Sequence, residues 1–156
     1  MYSLILVLHA LLALVWVGGM VFAWSFQRPA MGEEMDGPAR QRLWVATFRR
    51  FFPWVWAAVI GLPVTGYGMI FGYMGGMEGA GLYIHLMNGL GFLMIALYLH
   101  VFFAPYRKLR RAVEQEDWQS GSLQVGRIRR MVAVNMGLGL VVFAVAIAGP
   151  HTALLA

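Results

Sequence analysis

A chain of 156 residues that is 60% hydrophobic and only 12% charged, with a mean hydropathy of +0.67, is the size of one domain and too apolar to be a soluble one. It has no cysteine, which excludes disulfides, thiolate-held iron–sulfur clusters and a cysteine nucleophile. A net charge of +5 would suggest a nucleic-acid partner only if the basic residues formed a groove on a soluble face. Their placement points to a membrane instead, so membrane lipids are the expected partner and nucleic acid is not.

Four stretches lack any Asp, Glu, Lys or Arg: Leu4–Phe26, Phe51–Met74, Leu82–Ala104 and Met131–Gly149. Each is long enough, at roughly 1.5 Å per residue, to cross a hydrocarbon core of roughly 30 Å. The expected architecture is all-α: a four-helix integral membrane bundle forming a single membrane domain over 1–156, with spans at about 4–26, 51–74, 82–104 and 131–149. The first stretch has no basic residue before it and ends in Trp24-Ser25-Phe26-Gln27 without a small-residue cleavage pattern. It therefore reads as a retained helix rather than a removed signal.

After the first span, Asp36-Gly37-Pro38 has the form of a helix start. The run Arg40–Phe52, where arginines alternate with Leu43, Trp44, Val45 and Phe48, suits a helix that lies on anionic lipid or extends the second span inward. Within that span, Gly61, Pro63 and Gly66 suggest a bend. Gly68, Gly72 and Gly76, spaced four apart, suggest close approach of a neighbouring backbone, either within the bundle or in a second copy. Beyond the third span, Pro105–Trp118 is expected to prolong the helix until Ser120-Gly121-Ser122 breaks it, and Leu123 onward leads into the fourth span.

The basic residues fix an orientation. Arg28, Arg40, Arg42, Arg49 and Arg50 lie between the first two spans; Arg107, Lys108, Arg110, Arg111, Arg127, Arg129 and Arg130 lie between the last two. The middle loop, 75–81, carries only Glu78. By the positive-inside rule both basic loops are cytoplasmic, and both termini lie outside, in the periplasm of a bacterial-type inner membrane.

The spans contain no carboxylate, lysine or arginine, which disfavours a pump or transporter built on buried charges. Histidines remain as candidates: His9, His85 and His100 within spans, and His151 just beyond the last. His9 lies roughly 9 Å below the outer end of its helix and His85 roughly 5 Å, whereas His100 is roughly 22 Å further along and close to the opposite interface, where Tyr98 and Tyr106 suit a headgroup belt. His9 and His85 could clamp a haem from two facing helices, with Ala13 and Gly89 one turn further in leaving space for the ring. Asn88 could orient a ligand or bridge to Asn135. A competing site is copper: Met74, Met77, His85 and Met87 cluster around the outer loop, and thioether and imidazole suit Cu(I). His85 and Met87 are two apart, however, and point to different faces of a helix.

The run Leu8-His9-Ala10-Leu11-Leu12-Ala13-Leu14-Val15-Trp16-Val17-Gly18-Gly19-Met20, with Arg28-Pro29-Ala30 after it, resembles the opening helix of the CopD-like membrane proteins. Arg49-Arg50-Phe51-Phe52-Pro53-Trp54, His85-Leu86-Met87 and Arg127-Ile128-Arg129-Arg130 extend the resemblance over nearly the whole chain. It implies copper resistance or copper transfer across the inner membrane. The spacing His9, Trp16, Gly19 also resembles HemJ-type protoporphyrinogen oxidases, which carry haem b. By that resemblance His9 and His85 match membrane histidines, while the lysine that follows the third-helix histidine there is replaced here by Met87 and Asn88.

The leading expectation is a haem b-binding redox or electron-transfer protein with His9 and His85 as axial ligands, working by outer-sphere transfer because no general acid or nucleophile presents itself. Copper binding or transfer through His9, His85, Met74, Met77 and Met87 is the alternative, and a cofactor-free scaffold or accessory subunit is the third. A redox partner or a second copy of the chain would complete the first and third.

Overall fold

The computed structural model describes residues 1–152. Four long helices account for almost all of them: α1 (Tyr2–Glu34), α2 (Gly37–Tyr73), α3 (Leu82–Glu114) and α4 (Trp118–His151). The all-α four-helix expectation holds. The four uncharged stretches, however, lie inside longer helices of 33, 37, 33 and 34 residues. Arginine, glutamate and glutamine are good helix formers, so each helix continues past the point where its side chains must leave hydrocarbon.

Local chemistry sets the ends. Asp36 caps α2 by accepting from the Ala39 amide at 2.7 Å, with Pro38 in the first turn, and Arg40–Phe52 is simply the water-side part of that helix. The helix runs on through both Pro53 and Pro63. At its far end Gly75 and Gly76 adopt φ of 76° and 89°, values that only glycine takes without strain. The close of α3 differs from expectation. Glu116, at φ 54°, takes the left-handed position of a Schellman turn, in which Asp117 N–H donates to Ala112 C=O and Glu116 N–H to Val113 C=O. Asp117 then caps α4 through the Ser120 amide at 3.0 Å. Ser120-Gly121-Ser122 is therefore the first turn of α4, not a break, and α3 stops at Glu114.

Two π turns interrupt the helices, at Ala23–Gln27 in α1 and Phe102–Tyr106 in α3. Each sits at a proline, Pro29 just beyond the first and Pro105 within the second, where the missing donor and the ring's clash with the fourth carbonyl back favour a wider turn.

The helices pack as two pairs, α1 with α2 and α3 with α4, with α4 also meeting α1 and α2. The glycines that allow close packing are not those expected. Gly68 and Gly72 have open space around them, whereas Phe51 lies over Gly19, Leu12 over Gly61, Val17 and Met94 over Gly139, and Tyr83 over Gly149.

Most of the buried apolar side chains lie in the arginine-bearing half. Trp44, Phe48 and Phe52 stack one turn apart along α2, with centroids 5.2 and 5.1 Å apart, and Tyr98 and Tyr106 of α3 present their edges to Phe52 at 5.6 and 4.7 Å. Such edge-on pairs add specificity to the burial of large apolar area. By contrast, Leu4, Leu11, Ile60, Val64, Phe71, Leu93, Phe143 and Ile147 are exposed, as side chains facing lipid are. Tyr2 meets Tyr73, and Tyr83 meets Gly149, so the start of α1, the end of α2, the start of α3 and the end of α4 share one end of the bundle.

Candidate functional site

His9, on α1, is half-buried and turned towards α2, where its Nδ1 lies 2.7 Å from the Thr65 hydroxyl oxygen. Thr65 Oγ1 lies 2.6 Å from the Gly61 carbonyl one turn back. A hydroxyl has a single proton. With that proton given to Gly61, Thr65 can only accept from the imidazole, so Nδ1 carries the hydrogen and Nε2 is left with a free lone pair. Gly66 makes room for the ring, since a Cβ there would come within 3.3 Å of His9 Cε1. Ala13, one turn further along α1, is half-buried.

Asn88 on α3 also finds α2: Tyr67 Oη donates to its Oδ1 at 3.1 Å. The expected bridge from Asn88 to Asn135 is therefore not formed, and Asn135 Oδ1 has no partner among the described residues. His85 is exposed in the first turns of α3, and Gly89, one turn further, is exposed with open space around it. With His9 engaged by α2 and His85 on an outward face, the haem-clamping pair finds no support.

Met74 closes α2, and its backbone carbonyl packs so tightly on Gly79 that no side chain could stand there. The intervening turn carries Met77 at the start of a short 3₁₀ segment, Met77–Gly79. Met74, Met77 and Met87 are all half-buried. Among the described residues no three His, Asp or Glu side chains gather into a metal-binding group, so a soft ion at this end would draw on thioethers. His100 and His151 are both exposed.

Sequence reasoning missed Thr65. The only signal was a hydroxyl residue four places after Gly61, a spacing that permits bonding back to the helix carbonyl. It also missed a cavity of about 650 Å³ in the other half of the bundle, walled by all four helices.

Four apolar helices of this length, with a lipid-facing apolar surface, define a multi-pass α-helical membrane protein. Residues 45–148 match the family model described as "CopD: Copper resistance protein D", and the chain belongs to that family. The match takes in His85, Met74, Met77, Met87 and Thr65 but not His9. No curated protein and no solved structure matches the chain. Neither the family nor the geometry brings support for haem.

Proposed function

We propose that this CopD-family protein handles monovalent copper as cargo, taking it up at the end of the bundle shared by the start of α1, the α2–α3 loop and the end of α4. The observation that carries the reading is the chain of contacts from His9 Nδ1 through the Thr65 hydroxyl to the Gly61 carbonyl. The Nδ1 hydrogen is committed to Thr65, which leaves Nε2 as a fixed donor.

In this reading His9 supplies imidazole, Met74, Met77 and Met87 supply thioether, and His85, on its outward face, meets the ion separately. That soft donor set suits Cu(I) over the harder divalent ions. Ala13 and Gly66 keep bulk away from the His9 ring. The twelve basic residues lie on the helix segments that flank the two connections at the opposite end. The reading therefore places those connections in the cytoplasm, the uptake end in the periplasm and the protein in the inner membrane.

The test is Cu(I) binding by the full chain in detergent, kept reduced with ascorbate and measured by competition with a coloured chelator. His9→Ala, and Met74→Leu, Met77→Leu and Met87→Leu together, are each expected to weaken binding about tenfold or more. Copper content unchanged in both variants would overturn the reading.

A further inference from the structure

The cavity in the arginine-bearing half has the chemistry of a ligand site, and it is independent of the copper reading. At about 650 Å³ it falls within the range of pockets that hold small organic ligands. Its walls are aromatic: Trp16 from α1, Phe48 and Phe52 from α2 and Tyr98 from α3. The π turn of α1 forms part of one side, and the rim includes Phe22 and Phe26, which are 58% and 63% exposed on the lipid-facing surface.

Polar groups in the wall are few. Gln27 is satisfied by Thr47 at 2.9 Å, and the Tyr98 hydroxyl by the Phe52 carbonyl at 3.3 Å. Asn135 is different. It is only 5% exposed, and its Oδ1 has no hydrogen-bond partner. A buried amide left short of a partner is costly, so its presence in an otherwise apolar wall suits a polar ligand. Of the three buried carboxamide oxygens left unpaired among the described residues, at Gln41, Gln124 and Asn135, this is the one on a residue that lines the cavity.

We propose that the cavity binds an isoprenoid quinone of the membrane, with its ring among the aromatic side chains beside Asn135 and its tail leaving past Phe22 and Phe26. A carboxamide offers both a donor and an acceptor. Nδ2 can donate to the carbonyl of the oxidised ring, and with the amide turned over Oδ1 can accept from the hydroxyl of the reduced one, so a single residue serves both forms. The cavity lining contains no charged side chain to hold a phosphate headgroup, and a bare acyl chain would leave the amide unpaired. Binding is the whole of the proposal; no electron transfer is part of it.

The test uses the full chain in lipid nanodiscs, with a photoreactive azido-quinone and with decylubiquinone as competitor. Crosslinks are expected in α1 around Ala23–Met31 and in α4 around Met131–Asn135, and they should saturate and be displaced by decylubiquinone. Asn135→Leu is expected to weaken displacement about tenfold, the effect of losing one buried hydrogen bond, and Ala23→Phe, which fills the wall, should abolish labelling. Asn88→Leu, which alters the other end of the bundle, should label as the unaltered chain does. If Asn135→Leu fails to fold, crosslink positions in the unaltered chain decide. Labelling elsewhere, labelling that rises with quinone without saturating, or saturable labelling competed by phospholipid and indifferent to Asn135→Leu would each overturn the proposal.

Discussion

Thr65 sits between His9 and Gly61, accepting from an imidazole of α1 and donating to a carbonyl of its own helix, at 2.7 and 2.6 Å. One hydroxyl thereby fixes both the face of the ring and the nitrogen that bears its proton.

Thr65→Val preserves shape and removes this acceptor. Cu(I) affinity is expected to fall about tenfold, as when an outer partner of a metal-binding histidine is lost. Stability is expected to drop by about 1 kcal/mol, the usual net worth of such a bond. Nitrogen NMR of labelled histidine reads the tautomer directly. A His9 ring that stays wholly in the Nδ1–H form after the change would remove Thr65 from the account.

Membrane orientation can be tested because the chain has no cysteine of its own. Glu78→Cys, in the α2–α3 loop, is expected to react with a membrane-impermeant maleimide added to intact spheroplasts. Gln119→Cys, in the first turn of α4, should react only after the membrane is opened. The reverse pattern would invert the proposed uptake side.

Gly121 lies where α4 crosses Gln41 of α2, and a Cβ there would run into Gln41 Oε1. Gly121→Ala must displace that side chain and break its 2.9 Å bond to the Trp118 carbonyl. The expected destabilisation is about 2 kcal/mol, combining overpacking with a lost buried hydrogen bond. Adding Gln41→Ala should recover part of the loss, so the double variant is more stable than the two single effects summed. Strict additivity would show that the two positions do not compete for space.

Asp117 ties the start of α4 to the end of α3, and its hydrogen bonds with Ser120 hold its carboxyl below the ordinary value of 3.8. A depressed native value means that the cap stabilises fully above the unfolded carboxyl's range and is lost as the pH falls through the folded value. Asp117→Ala should therefore lower the thermal midpoint near neutral pH and make little difference in strong acid. An equal gap between the two proteins at both pH values would contradict this cap.

The membrane architecture was legible because hydrocarbon tolerates no unpaired charge, and the four uncharged runs stand out without any structure. Where the helices end was less legible. Ser120-Gly121-Ser122 has the composition of a turn, but Asp117 three residues earlier is a stronger start signal, and Gly121 is small because Gln41 needs the space. Pro63 suggested a bend, and the helix continues through it. At the candidate site, His9, Met74, Met77 and Met87 could be picked out by chemistry alone. Thr65 and Tyr67 could not, since each acts through a partner on another helix. The cavity escaped for the same reason: four helices form its walls, and no local run of sequence encodes it.

The 37 residues of α2 make a rod of roughly 55 Å, nearly twice the hydrocarbon thickness. Its aqueous end, where Gln41 donates to the Trp118 carbonyl of α4 and Arg42 faces Glu116 of the α3–α4 turn, belongs to the same helix as the segment that carries Thr65. The arginine-studded foot and the hydroxyl that anchors the imidazole are two stations on one uninterrupted helix.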